Sequence, residues 1–403
     1  LLIFAQAPPP VHGQSVMVGQ LLEALRNSGR LSVAEEAAAD GEPSTPIVYL
    51  HLDPQISEDL ADIGRWRPRK LLLVLRAVFA AVRYRFRYGL TVFYFVPAPA
   101  QRTGMYRDWC VLLFCRIFYR RLVLHWHCIG QPEFIEGKLS APERLLARLA
   151  YGYPALSICL SNYSREEAAY FNSERTVVIP NGLPDPCPKF DGEVWPERLR
   201  RAAARAAASG RSFFYDVLFL SGRMTPKGLF DAIAAVTRAN RLLADKGEHW
   251  RMRLTVAGDF ADDAERLRYE QAAAELNQTA CPDDPQPLAL AVGWAGEEKK
   301  KRLYRAADCF LFPTTYPAES FGLVLAEAMA HGCAVVVTRW QAVPEILPAG
   351  YPHLVEPHAV EEMADALLAC AAEPADRSLR DYFLSRFTSD RFAAEMVRVL
   401  SEL

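Results

Sequence analysis

The chain has no Cys-x-x-Cys pair anywhere in its 403 residues, which argues against a thiolate zinc site. Its 9 cysteines are odd in number and scattered, several of them inside apolar runs (Cys110, Cys115, Cys159, Cys309). That pattern fits buried thiols in a reducing compartment rather than a disulfide framework. No stretch reaches the roughly 18–20 uncharged apolar residues that a spanning helix needs. The formal net charge is only −2, so nothing global draws the chain to nucleic acid, and an electrostatic partner must be met by a local patch. The Gly-x-x-x-x-Gly-Lys-Ser/Thr order of a P-loop is missing, and so is any Asp-x-Asp pair. The chain opens at Leu1 on a strand-like run, without a basic leader or a cleavage-type segment, and a cytoplasmic protein is the expectation.

What is present is apolar and periodic. Hydrophobic residues make up 51% of the chain and charged residues 23%, enough for a large core. At about 100–200 residues per domain, the length predicts two domains. Short apolar runs alternate with helical patterns, as in βα units around a parallel sheet. In the first half, strands are predicted at Leu1 to Ala7, Pro46 to Leu52, Thr91 to Val96, Arg121 to His127, Ala155 to Leu160 and Thr176 to Pro180. Five prolines between Pro180 and Pro196 then interrupt the alternation. The Ala/Arg-rich stretch from Glu197 to Gly210 reads as a helical insertion or an exposed linker helix. The pattern restarts with strands at Asp216 to Ser221, Arg251 to Ala257, Leu288 to Val292, Asp308 to Phe312 and Ala334 to Thr338. The resulting division is a Rossmann-like domain over 1–183, a linker or insertion over 184–212, a second Rossmann-like domain over 213–385, and a closing helix over 386–403 that could cross back to the first.

Two segments carry chemistry. In the first, Glu319-Ser-Phe-Gly-Leu-Val-Leu-Ala-Glu327 follows a strand and a Pro-containing loop. Ser320 can cap a helix from Phe321 to His331, whose first turn offers free N–H groups and a positive dipole end to a phosphate. Taken singly, Glu319 also reads as a favourable charge at a helix start and Glu327 as part of a solvated face. The helix is apolar on most sides, however, and a buried Glu327 needs a partner. In the second, Ser221-Gly-Arg-Met-Thr-Pro-Lys-Gly228 lies between a strand and a helix, where open α/β sheets bind ligands. Arg223 and Lys227 are suited to neutralising a pyrophosphate, and Gly222 and Gly228 allow close backbone approach. An ordinary strand–helix loop with solvated cations is the competing reading.

Taken jointly, Gly222-Arg-x-x-x-Lys-Gly228, Val256-Ala-Gly-Asp259, Val292-Gly293 and the Glu-x7-Glu spacing of Glu319 and Glu327 resemble the family-four retaining glycosyltransferases of the GT-B fold. Pro8-Pro-Pro-Val-His-Gly-Gln14, His125-Trp-His127 and Val178-Ile-Pro-Asn-Gly-Leu183 extend the likeness over nearly the whole chain. The resemblance implies an α/β architecture of two Rossmann-like domains facing across a deep cleft. It implies that Arg223 and Lys227 hold the donor diphosphate, Glu327 the ribose and Glu319 the sugar hydroxyls. Gly222, Gly293 and Ser320 would line the donor, and backbone N–H groups of Phe321, Gly322, Leu323 and Val324 would contact sugar and phosphate. His127 would face the reacting sugar, and Gly13 and Gln14 would line the cleft near phosphate or acceptor. A lone histidine at a strand end is ordinarily a satisfied core residue, and His125, two residues earlier, is read as packing. The first loop carries His12-Gly13 where many relatives have a glycine pair. Arg339 to Val343 replaces a Gly-rich step before Pro344-Glu345, in a region that borders the donor in relatives. With two cations and a helix end for the diphosphate, no metal and no other cofactor is expected.

From Ile63 to Arg107 there is no acidic residue, while arginines and aromatics interleave. A basic amphipathic helix over 65–87 fits an anionic membrane surface, with a lipid-linked or membrane-proximal acceptor. A core helix with solvated basic ends fits as well, and no nucleic-acid motif accompanies the charge. The functional reading is thus a retaining, metal-independent transferase acting on a nucleotide diphosphate sugar and a sugar or lipid-linked acceptor, in glycan, lipopolysaccharide or other glycoconjugate biosynthesis. The alternatives are an inverting GT-B transferase, a sugar-nucleotide epimerase, and a non-catalytic binding or scaffold protein.

Overall fold

The computed structural model describes residues 1–9, 13–28, 31–33, 47–54, 68–207, 213–222, 224–281 and 284–403. The chain divides into two compact units, Leu1–Gly182 with Ser389–Leu403, and Leu183–Thr388. The first unit runs β1 (Leu2–Phe4), α1 (Gly13–Asn27), β2 (Leu31–Val33), β3 (Ile47–Leu52), α2 (Pro68–Arg87), β4 (Val92–Phe95), α3 (Arg102–Phe118), β5 (Arg121–Trp126), α4 (Gln131–Lys138), α5 (Ala141–Tyr151), β6 (Leu156–Cys159), α6 (Arg165–Tyr170) and β7 (Thr176–Val178). Its strands pair in parallel in the order β2-β3-β1-β4-β5-β6-β7. The central strands are buried along their whole length, as in β4, Val-Phe-Tyr-Phe. A parallel sheet covered on both faces needs such unbroken apolar runs rather than an alternation.

The second unit begins with a π-helical turn, Phe190–Val194, and α7 (Trp195–Ala207). It continues through β8 (Phe214–Leu220), α8 (Leu229–Asp245), β9 (Arg251–Ala257), α9 (Asp263–Asn277), β10 (Ala289–Ala291), α10 (Glu297–Ala306), β11 (Cys309–Phe312), α11 (Leu323–Ala330), β12 (Ala334–Thr338), β13 (Leu354–Val355), α12 (Val360–Ala372) and α13 (Ser378–Arg386). The last helix, α14 (Ser389–Ser401), belongs to the first unit and packs on α1. The second sheet is also parallel, in the order β10-β9-β8-β11-β12-β13. Numbered within the unit this is 3-2-1-4-5-6, the doubly wound order, and the direction of winding reverses between β8 and β11.

Three features differ from the sequence reading. The edge strands β2 and β13, of 3 and 2 residues, were not anticipated, because so few residues carry no period. The stretch read as a helical insertion or an exposed linker helix is α7, and it is docked on the second unit rather than exposed. Arg198 is buried and donates through Nε to the carbonyl of His331 (2.9 Å), through Nη1 to Ala307 (2.9 Å) and through Nη2 to Tyr304 (3.0 Å). Finally, α11 starts at Leu323 rather than Phe321. Gly322, at φ 76°, is the N-cap, and Ser320 lies before the helix.

Candidate active site

The loops leaving β8 and β11 meet at the point where the second sheet reverses its winding. Gly228, at φ 84°, ends the first of them, and a Cβ there would lie 2.1 Å from the carbonyl oxygen of Pro313 in the other. Only glycine fits that crossing. The Thr315 N–H donates to the Pro226 carbonyl (3.2 Å) and ties the loops together. Glu265 of α9 fixes the turn from outside. Its carboxylate is buried and accepts from the Thr225 N–H (3.0 Å), the Thr225 hydroxyl and the Ala261 N–H (2.7 Å). Gly222 is different, since a Cβ there would meet nothing within 4 Å. Arg223 lies outside the described residues.

This scaffold brings Lys227 to Glu319. The ammonium donates to Glu319 Oε2, which also accepts from the Thr314 hydroxyl at 3.1 Å. Both side chains are largely enclosed, 16% exposed for Lys227 and 7% for Glu319. The rings of Phe312 and Tyr316 flank the ammonium, with centroids 5.4 and 4.9 Å away. Past the Gly322 N-cap, the first N–H groups of α11, at Leu323 and Val324, have no partner within the helix, by the geometry of any helix start. Phe321 is a core residue, buried and edge-on to Phe387 at 5.5 Å, so only its backbone is available to a ligand.

Glu327 has the partner that its position demands. Oε1 accepts from Lys300 Nζ at 2.7 Å and Oε2 from the Tyr304 hydroxyl at 3.0 Å, both on α10. Burial, and then the Glu327 carboxylate, push the Tyr304 pKa well above the usual phenol value. Burial opposes the charge on Lys300, but Glu327 outweighs it, and the lysine titrates higher than usual. Each carboxylate oxygen can accept a second hydrogen bond, so Glu327 keeps capacity for a hydroxyl.

The end of β12 and the segment that follows it hold the loop that carries Glu319. Thr338 Oγ1 donates to the Thr314 carbonyl (2.6 Å), Trp340 Nε1 to that of Tyr316 (2.9 Å) and Gln341 Nε2 to that of Pro317 (2.9 Å). Farther along the same carboxyl edge, Gly258, at φ 136°, passes so close to Ser221 that a Cβ would sit 1.9 Å from its carbonyl oxygen. Its N–H donates to Gly293 (2.9 Å), and Asp259 accepts from the Trp294 N–H (3.1 Å).

Residues 215–373, which hold all of this geometry, match the family model described as "Glycosyl transferases group 1". Over these residues the second unit is similar to the group 1 glycosyl transferases. A D-inositol 3-phosphate glycosyltransferase of Kribbella flavida is 31% identical over 184 residues, 44% of this chain and 40% of the relative. The gpi3 subunit of phosphatidylinositol N-acetylglucosaminyltransferase from Schizosaccharomyces pombe is 24% identical over 228 residues, 55% of this chain and 42% of that one. The chain thus spans less than half the length of these curated relatives. The sucrose-phosphate synthase of Thermosynechococcus elongatus superposes with a TM-score of 0.65 at 18% identity, covering 100% of this chain and 98% of that one. Anabaena HepE in complex with UDP and glucose gives 0.63 at 17% identity, with 100% and 99% covered. The fold of the chain is accordingly GT-B.

The group 1 match includes Gly222, Lys227, Gly293, Glu319, Ser320 and Glu327 and leaves out the first-unit residues. Gly13 and Gln14 open α1 on the carboxyl side of β1, next to residues 10–12, which lie outside the described ones. His127 is the first residue past the carboxyl end of β5 and is buried. His125, read from sequence as packing alone, touches it. Their ring centroids are 4.1 Å apart, with His127 Nε2 3.3 Å from His125 Nδ1, to which the Tyr94 hydroxyl comes within 2.5 Å. Side chains two apart on a strand share a face, which puts these rings together. Burial, helped by His127, keeps the His125 pKa well below the usual imidazole value. Besides His125, the sequence reading missed Thr314, Lys300, Tyr304, Glu265 and Trp340. A hydroxyl or an indole in a loop has no spacing that announces it, but Glu265, after the Asp262 N-cap, carried a helix-start signal.

Proposed function

We propose that the chain transfers a sugar from a nucleotide diphosphate sugar to an acceptor hydroxyl, with retention of configuration and without a metal. The observation that carries this reading is the enclosed Lys227–Glu319 pair at the winding reversal of a Rossmann sheet, three residues ahead of a helix N-terminus. A diphosphate there competes with Glu319 for Lys227, and the released carboxylate is left facing sugar hydroxyls. Arg223 adds the second cation and Glu327 takes the ribose. The acceptor is assigned to the first unit, with His127, Gly13 and Gln14.

In the reaction, the bond from the sugar's C1 to the phosphate oxygen breaks and its electron pair stays on that oxygen. The acceptor oxygen bonds C1 on the same face, and its proton passes to the departing phosphate. Negative charge grows on the diphosphate as it leaves, so cations and N–H dipoles fixed beforehand favour the transition state over the ground state. The inositol-phosphate and phosphatidylinositol relatives support a place in glycoconjugate synthesis.

A thermal-shift panel of uridine, guanosine and adenosine diphosphate sugars tests the donor site. A ligand at a hundredfold excess over Kd stabilises by about 2.7 kcal/mol. One donor should raise the melting temperature, and Lys227→Ala should abolish the rise. With that donor and an accepted alcohol, the product should keep the donor's anomeric configuration. An inverted product would replace retention with inversion, donor turnover without acceptor would favour an epimerase, and donor binding with neither hydrolysis nor transfer would favour a non-catalytic binding or scaffold protein.

A further inference from the structure

Helix α2 has two apolar faces, and only one of them is needed by the fold. Val74, Ala77, Val78 and Ala81 are buried in the first unit's core. Leu72 (60% exposed), Leu75 (46%), Phe79 (72%) and Phe86 (70%) point outward. Leu72, Phe79 and Phe86 recur every seven residues and so form one line along the helix. Arg69, Arg76 and Arg83, all exposed, recur with the same spacing, three residues ahead of that line, and form a second line beside it. Arg85 is used otherwise, donating to the Phe118 carbonyl (3.0 Å), and Phe86 meets the Phe118 ring edge-on, which fixes the end of the stripe on α3. No acidic residue occurs on α2, and among the described residues neither Arg76 nor Arg83 forms an ion pair. Of the 65–87 segment, residues 65–67 lie outside the described ones.

Exposed large apolar side chains in a row, edged on one side by cations and free of acids, fit a surface that is apolar below and anionic above. We infer that α2 lies flat on an anionic lipid bilayer, with Leu72, Leu75, Phe79 and Phe86 set into the acyl boundary and Arg76 and Arg83 against the phosphates. A second copy of the chain would meet the same arginines in a symmetric contact with no acid on this helix to pair them, and charge complementarity therefore favours lipid. Among the described residues no helix is long and apolar enough to cross a membrane, and the attachment is peripheral.

Co-flotation with vesicles of phosphatidylglycerol and phosphatidylcholine tests this without any sugar donor, so the outcome is independent of the transferase reading. Wild type should bind at low salt, bind phosphatidylcholine vesicles far less, and release as salt rises. Each well-placed arginine is worth about fivefold in partitioning, so Arg76→Gln with Arg83→Gln should weaken binding roughly 20-fold. Leu72→Ser with Phe79→Ser should also lose at least tenfold, whereas Leu267→Ser, an exposed leucine of the second unit, should change nothing. All these positions are exposed, and unchanged melting temperatures establish that each variant is folded. The inference is overturned if wild type fails to bind at low salt, if the arginine variant binds equally well, or if the chain forms a dimer that Leu72→Ser with Phe79→Ser dissociates.

Discussion

At the scale of single residues, the Lys227–Glu319 pair makes stability and chemistry separable. Removing two charges from water costs several kcal/mol per ion, and their attraction offsets this only while both are present. In Lys227→Ala the Glu319 carboxylate, 7% exposed, is left with the Thr314 hydroxyl as its remaining partner among those described above. We expect that variant to lose roughly 3 kcal/mol of stability in denaturant titration. It should also lose turnover by roughly 30- to 1,000-fold, the equivalent of ~2–4 kcal/mol from a charge-assisted contact to the leaving group. Adding Glu319→Gln removes the stranded charge and keeps an acceptor for Thr314. The double variant should therefore regain most of the stability and none of the activity. Near-wild-type turnover in Lys227→Ala at saturating donor would rule the assignment out. Both charged residues were legible from motif spacing. Thr314 was not, because it reaches Glu319 only through the course of the loop, and Ser320 was misjudged, because a serine is ordinarily a better N-cap than the Gly322 that takes the position here.

At the scale of elements, long buried strands were readable and docking was not. The predicted limits of Arg251–Ala257 and Ala334–Thr338 agree with β9 and β12, the first carrying a period-2 alternation of Met252, Leu254 and Val256 and the second an apolar run, patterns with few alternative readings. Helix α7 has only Arg198 buried, and by composition it passes for a solvated helix. Its place is set by arginines: Arg198, the buried one, together with Arg201, which donates to the Arg305 carbonyl (3.0 Å), and Arg205, paired with Asp308 (2.9 Å). Arg198 reaches carbonyls at the ends of both α10 and α11, where a cation also meets the negative ends of two helix dipoles. Without it, several buried carbonyls lose their donor at about 1–3 kcal/mol each. Arg198→Ala should lower the unfolding free energy of the second unit by roughly 3–5 kcal/mol in urea. Arg198→Lys should recover only a minor part, because an ammonium cannot reproduce the planar fork. A loss below about 1 kcal/mol would mean that α7 is held mainly by its other contacts, those of Arg201 and Arg205 among them.

At the scale of the whole molecule, two parallel sheets each end in a carboxyl edge lined with loops, and the net charge is close to zero at −2. The chain as a whole therefore does not attract a nucleotide sugar, and the diphosphate must be neutralised locally. On the proposed reading the local means are the Lys227 ammonium, Arg223 and the N–H groups that open α11. Lys227 and the start of α11 are held by the fold of the second unit, through the Gly228 crossing, the Glu265 carboxylate and the Trp340 contact. A divalent ion would need carboxylates arranged around the diphosphate. The sequence has no Asp-x-Asp pair, and on the proposed reading Glu319 and Glu327 are given over to sugar and ribose hydroxyls. We therefore expect turnover to persist after exhaustive chelation, and magnesium or manganese to leave Lys227→Ala unrepaired. Activity abolished by chelation and restored by either ion would show that a metal carries the leaving-group charge. The lysine would then be a structural partner of Glu319, and its removal would lower stability without the predicted fall in turnover.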